Sequence, residues 1–174
     1  HFDISAPISY NSIFTGIGNI DVANFCLYPS QIVNDLSVVL IPLNDARPGF
    51  ESNYQIVFNN TGNTRLSGSV KLNFDSTKLI FNSSSSNPNL TTNNLLTFDY
   101  IDLNPFETRK IDLVFSVLTP PIVEIDNVLT YTLSILPVDN DFTPEDNVYT
   151  LNQTVIGSFD PNDIKCFEGD KIYL

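Results

Sequence analysis

The residues of this chain best suited to do chemistry are acidic. Asp139, Asp141, Glu145 and Asp146 put four carboxylates into positions 139–146, and hard cations such as calcium take several oxygen ligands from flexible acidic loops of this kind. The spacing matches an EF-hand loop only in part, because its central Gly and terminal bidentate Glu are missing. A solvated acidic turn accounts for the same residues, so the loop is a candidate calcium site set against that plainer reading. Asp160, Asn162 and Asp163 form a second acidic group, where a cation would stiffen a junction between modules and where an Asx-type turn around Pro161 is the simpler account.

Other chemistries find little to work with. His1 is the sole histidine and lies at the end of the chain, which removes Ser-His and Cys-His catalysis and any histidine metal site at the centre of a fold. The remaining carboxylates fall mainly in turns, so a glycosidase-type pair has no support. The expectation is a protein that is not an enzyme and needs no cofactor beyond a possible Ca2+. Sugar binding would call for exposed aromatic rings. The chain has no Trp, and Tyr54, Phe58, Phe74, Phe98, Phe115 and Tyr131 fall on strand positions that alternation assigns to a core. Tyr10, Tyr28, Phe50 and Phe106 are the rings that loops could expose.

The elements that must position these groups are strands. Val70-Lys71-Leu72-Asn73-Phe74 alternates apolar and polar residues, and Leu129 to Ile135 does so again; a period of two means one face buried and one wet. Such segments recur between clusters of Asn, Gly, Pro, Ser and Asp: Leu36 to Leu43, Tyr54 to Asn59, Ser67 to Phe74, Lys78 to Phe81, Leu95 to Ile101, Ile111 to Val117, Val128 to Leu136 and Val148 to Ile156. Asn82 to Asn94, with four consecutive serines, reads as an exposed loop. No window shows helical spacing with a cap. The pattern predicts an all-β fold, an immunoglobulin-like β-sandwich of roughly seven or eight antiparallel strands. Residues 31–157 form the sandwich, 1–30 an irregular segment that reads as the tail of a preceding module, and 158–174 a linker and the start of a next module. The chain reads as a piece of a longer polypeptide.

Composition narrows the partners. With 42% hydrophobic residues and 13 Phe, 174 residues can bury a real core. Twenty acidic against eight basic residues give a net charge of −12, which repels phosphate backbones and anionic lipid headgroups. No apolar run reaches the roughly 18 residues that span a bilayer, so neither nucleic acid nor membrane insertion is expected. Cys26 and Cys166 are too far apart for a CxxC redox or zinc pattern. They bracket the strand-rich region, and the choice lies between a disulfide clipping its two ends and two separate buried thiols.

Several segments resemble a known family. Asn59-Asn60-Thr61-Gly62-Asn63-Thr64, Gly68 to Phe74, Leu103-Asn104-Pro105-Phe106-Glu107-Thr108 and Pro144-Glu145-Asp146-Asn147 are similar to CARDB-like and related Ig-like repeats of bacterial surface proteins. Gly157-Ser158-Phe159-Asp160-Pro161-Asn162-Asp163, followed by Cys166-Phe167-Glu168-Gly169, resembles the "SYDPNDK…EG" segment of large secreted Bacteroidota proteins that carry type IX secretion sorting domains; Ile164 stands where that pattern often has Lys. The resemblance implies a non-catalytic spacer or adhesion module of a secreted or cell-surface, outer membrane-associated protein. Its partners would be neighbouring domains of the same chain, with glycans or surface proteins as further candidates. The alternative is a carbohydrate-binding module appended to a polysaccharide-degrading enzyme. Asp75-Ser76-Thr77 resembles the Bacteroidota O-glycosylation acceptor, which marks Ser76; sequons at Asn59, Asn82, Asn89 and Asn152 are chance matches in an Asn-rich chain.

If Cys26 and Cys166 are bonded, the chain-entropy model makes the closure of so long a loop worth on the order of 5 kcal/mol. Reduction should then lower the melting temperature and leave the strand content similar at low temperature. Two titratable thiols in the native, non-reduced protein would exclude the bond.

Overall fold

The computed structural model describes residues 2–4 and 9–157. Phe2–Ile4 (β1) pairs with Leu27–Pro29 (β2) in a two-stranded ribbon within the segment read as irregular. The strands of the sandwich follow: Leu36–Pro42 (β3), Glu51–Asn60 (β4), Leu66–Phe74 (β5), Leu79–Ser84 (β6), Leu90–Thr91 (β7), Leu95–Leu103 (β8), Thr108–Val117 (β9), Val128–Leu136 (β10) and Val148–Thr154 (β11). One sheet has the order β3-β4-β9-β6 and the other β11-β10-β5-β8-β7, and neighbours in both are antiparallel. The fold is an all-β, Ig-like sandwich. It has one strand more than the upper expectation, because β7 lies inside the stretch read as loop and pairs with β8 through Leu90↔Thr97 and Thr91↔Leu96.

Alternation builds the core. Ser52, Tyr54, Ile56, Phe58 and Asn60 of β4 are buried, as are Ile111, Leu113, Phe115 and Val117 of β9. The register sets Tyr54 opposite Leu113 and Ile56 opposite Ile111, so the two strands present one apolar face. From the facing sheet, Val70, Leu72 and Phe74 of β5 and Leu129, Tyr131, Leu133 and Ile135 of β10 meet it. Burying each such side chain contributes about 1.5–3 kcal/mol relative to exposure. A bulge at Gly68 lets β5 pass close to β10: a Cβ there would lie 1.9 Å from the Leu136 carbonyl oxygen.

Three buried hydroxyls, those of Ser52, Tyr54 and Tyr131, require partners in this apolar layer. Tyr131 donates to the Tyr54 hydroxyl (2.7 Å), Ser52 donates to it as well (3.0 Å), and Tyr54 donates to Gln153 Oε1 (2.5 Å). Near the other end of the sheets, Tyr100 donates to the Leu136 carbonyl (2.6 Å).

The register also fixes where the chain enters and leaves. Leu36 pairs with Asn60 and Leu66 with Leu103, which sets the start of β3 at the same end as those residues. Asn34 forms a parallel bridge with Asp141, and the Ile156 amide donates to the Ala46 carbonyl just past β3 (2.9 Å). Strands β3 and β11 therefore run the same way side by side, and the chain enters the sandwich at one end and leaves it at the other.

Burial pushes the tyrosine hydroxyls up. For Tyr100 the pKa reaches about 12, from desolvation first and the Asp141 charge second. Tyr131 rises further through desolvation and its neighbour Tyr54, and Tyr54 itself rises through desolvation. These groups hold their protons more tightly folded than unfolded, so their contribution is intact below about pH 10 and is lost as pH rises from there through the folded values. Tyr100 adds to this loss, and the more deeply buried Tyr54 and Tyr131 act in the same direction. Denaturant unfolding between pH 8 and 12 should show stability flat to about pH 10 and falling steeply beyond it; ordinary tyrosinate titration in the folded state with no loss of stability would contradict this burial.

Candidate metal centre

At the entry end, a turn closes around the incoming chain. Thr61 N and Gly62 N donate to the Asp35 carbonyl (2.8 and 3.1 Å), and Asn63 N donates to the Val33 carbonyl (2.9 Å). Asn63 Oδ1 accepts from Val33 N (2.9 Å), and its amide donates to the Gln31 carbonyl (2.7 Å). Asn60 anchors the turn from beneath. It is fully buried, donates to the Thr64 and Leu103 carbonyls (2.6 and 3.0 Å) and accepts from Gly62 N (3.1 Å). Gly62 is required by contact: a Cβ would sit 2.4 Å from the Val33 oxygen and 2.8 Å from the Asp35 nitrogen.

This clasp orients Asp35. Its Oδ2 accepts from the Thr61 hydroxyl (2.7 Å), while Oδ1 is buried without a hydrogen bond. The loop between β10 and β11 approaches from the other side. Phe142 N donates to the Asn34 carbonyl (2.8 Å), and Asp141 accepts from Leu36 N on Oδ2 (2.9 Å) and Thr143 N on Oδ1 (3.0 Å). A 3-10 turn over Pro144–Asn147 then carries Asp146, whose Oδ1 is also buried without a hydrogen bond. Asn147 beside it is fully buried with neither side-chain polar atom bonded. A buried polar atom left unpaired costs about 1–3 kcal/mol.

Asp35, Asp141 and Asp146 each bring one carboxylate oxygen within 4.8 Å of the other two. Oxygens on one calcium at 2.3–2.6 Å can be no more than about 5 Å apart, so the three fit a shared ion. Their mutual cost is visible in Asp146, whose carboxyl is pushed above its usual range by burial first, then by Asp35 and Asp141. A divalent cation would replace that repulsion with attraction and occupy the unpaired oxygens.

Of the four carboxylates singled out in sequence, the fold brings Asp141 and Asp146 together and leaves Asp139 and Glu145 exposed outside the group. The third member, Asp35, had no signal in the acidic loop; its only mark is its place one residue before the first strand of the sandwich. Asp160, Asn162, Asp163 and Cys166 lie outside the described residues, and Cys26 is exposed. Ser76 is half-buried in a turn held by Asp75, which accepts from Thr77 N (3.0 Å) and the Thr77 hydroxyl (2.5 Å). Tyr10, Tyr28, Phe50 and Phe106 are all exposed. Phe106 sits in a turn with φ 63°, locked by Glu107, which accepts from Asn104 N (2.8 Å) and Arg109 Nε (2.6 Å). Among the described residues, no helix is long and apolar enough to cross a membrane.

No protein-family model and no curated protein matches the chain. Solved structures do. The CARDB domain of a Pyrococcus furiosus protein, in complex with di-metal ions, is 15% identical, with a TM-score of 0.47 over 75% of this chain and 100% of that one. A cohesin module from a Clostridium perfringens family 33 glycoside hydrolase is 7% identical, with a TM-score of 0.48 over 74% and 100%. The major pilin subunit of Bacillus cereus is 10% identical, with a TM-score of 0.48 over 71% and 41%. At such identities no residue role carries across, and the sandwich is defined by the sheet order and register of this chain.

Because Gly62 abuts backbone on the Asp35 side, Gly62→Ala must displace either the turn or the entering chain. The expected cost is about 2 kcal/mol, a fall in melting temperature of about 5 °C. An unchanged melting temperature would mean that the clasp does not hold Asp35 in this position.

Proposed function

We propose that this chain is a non-catalytic spacer or adhesion module of a secreted or cell-surface multi-domain bacterial protein, and that a divalent cation, calcium by the chemistry of its ligands, clips its entry end. The observation that carries the reading is the placement of entry and exit at opposite ends of one sandwich, with the three carboxylates gathered where the chain comes in. A module threaded in this way adds length between its neighbours. Hard, oxygen-only ligands suit calcium, while histidine or thiolate, which transition metals favour, is missing from the group.

The same features argue against catalysis. Asp141 holds two backbone amides in place, and the three carboxylates converge on one another, an arrangement that suits a structural cation better than acid–base work. Export, outer membrane association and type IX secretion belong to the same proposal, supported by the resemblance of Gly157 to Gly169 to secreted Bacteroidota proteins. The sugar-binding alternative would need aromatic rings on one surface. Phe50 and Phe106 are exposed at opposite ends, since Phe50 N bonds to the Arg47 carbonyl in the exit-end loop and Phe106 N to the Asn60 carbonyl at the entry end.

A ligand that binds only the folded form stabilises it by RT ln(1 + [L]/Kd), so calcium at about 100 times Kd should add roughly 2.7 kcal/mol. Millimolar calcium should raise the melting temperature. Asp35→Asn alone, and Asp141→Asn with Asp146→Asn, should abolish the rise, whereas Asp139→Asn should keep it. A wild-type melting curve unmoved by calcium would leave a solvated acidic cluster and a module without a metal.

A further inference from the structure

We propose that the sandwich is a tension-bearing link whose resistance resides in the seam between its first and last strands. Strands β3 and β11 are the edge strands of different sheets, yet they lie against each other and run in the same direction. The bonds of the seam lie at its two ends, where the start of β3 meets the loop ahead of β11 and where the end of β11 meets the loop behind β3. At the entry end, Phe142 N donates to the Asn34 carbonyl (2.8 Å) and Leu36 N to Asp141 Oδ2 (2.9 Å). At the exit end, Gln153 Nε2 donates to the Asn44 carbonyl (2.9 Å) and Ile156 N to the Ala46 carbonyl (2.9 Å). At that same exit end, the Tyr54 hydroxyl ties Gln153 to the core.

The direction of load decides how these bonds fail. Tension arriving at Val33 pulls β3 toward the entry end, and tension leaving through Gly157 pulls β11 toward the exit end. The two strands must then slide past each other, and every seam bond is strained at once. Loads applied at one end would instead break the bonds one after another. The incoming chain is already gripped, because Val33 exchanges two bonds with Asn63 and Asp35 receives two from the turn. Force therefore reaches the seam before the entry segment can peel away.

The inference rests on reading the module as a link between neighbours, but its measurement needs no metal. The full chain, with both thiols reduced and a chelator present, is held at constant load between handles at its two ends. A second geometry places one handle at Asp45, exposed in the exit-end loop, and the other at the C-terminal end, so that β11 is peeled. Because forced unfolding reads the unfolding rate, the end-to-end lifetime at equal load should exceed the peeling lifetime roughly tenfold or more. Asp141→Ala, which removes the acceptor of Leu36 N, should shorten the end-to-end lifetime roughly tenfold and leave peeling nearly unchanged. Gln153→Ala tests the other end of the seam without touching the carboxylates and should act in the same direction. Equal lifetimes in the two geometries, or end-to-end lifetimes indifferent to both variants, overturn the proposal. Calcium binding measured by calorimetry alongside equal lifetimes would overturn the seam and leave the cation site. A long end-to-end lifetime in a protein that binds no calcium would do the reverse.

Discussion

The contact on which the rest of this structure depends is the one Phe115 makes with rings from both sheets. Its centroid lies 4.9 Å from Phe74, 5.6 Å from Phe81, 5.8 Å from Tyr131 and 5.9 Å from Tyr54, mostly edge to face. Such pairs contribute about 0.5–1.5 kcal/mol each beyond the area they bury. Two of the rings are tyrosines, so the packing brings hydroxyls into an apolar layer. The Tyr131-Tyr54-Gln153 chain meets that demand and then continues, since Gln153 also donates to the Asn44 carbonyl and Asn44 Oδ1 accepts from Asn53 N (2.6 Å). The choice of tyrosine in the core thus dictates a glutamine facing inward on the edge strand, and that glutamine binds the last strand to the loop after the first.

A similar substitution of polar for apolar shapes the entry end. The alternation of β4 puts its last residue, Asn60, at a buried position. An apolar side chain there would leave the Thr64 and Leu103 carbonyls without their donor. The amide satisfies both, and its oxygen receives Gly62 N, which fixes the turn that grips Val33 and Asp35. The placement of Asp35 is therefore a consequence of how β4 ends, and the acidic group is assembled by the core's own register rather than by its loop alone.

This explains how much was legible in the sequence. Segment 129–135 alternates strictly and 111–117 does so apart from Val114, and this period of two points to the sandwich, whereas the buried Ser52 and Asn60 of β4 are polar and carry no such mark. Leu90–Thr91 reads as loop in the sequence because two residues cannot show a period, and its pairing depends on β8. Gln153 was invisible as an inward position because its type argues for the surface. Asp141 and Asp146 are visible together because they are close in the chain, but the same closeness draws in Asp139 and Glu145, which lie outside the group. A 3-10 turn has about three residues per turn, so Glu145 and Asp146 leave it in different directions. Asp35 could not be seen at all: Leu36 meets the Asp141 carboxylate across 105 positions, and such a pairing exists only once both sheets are formed.

Asp141 joins the two parts of the molecule. One carboxylate accepts Leu36 N from the first strand and Thr143 N from the loop leading to the last, faces Asp35 and Asp146, and adds to the upward shift of Tyr100. Its negative charge strengthens the two amide bonds, because hydrogen bonds to an ionised acceptor are about twice as strong as neutral ones. The same charge repels Asp35, which belongs to the entering chain, and so works against the closure that those bonds create. Neutralising the cluster would remove the repulsion without removing the bonds, since each amide uses one lone pair of an oxygen that has others to offer. The electrostatics of the cluster and the cohesion of the seam are therefore linked through one side chain, and any cation held there would add its binding energy to the junction where the chain enters.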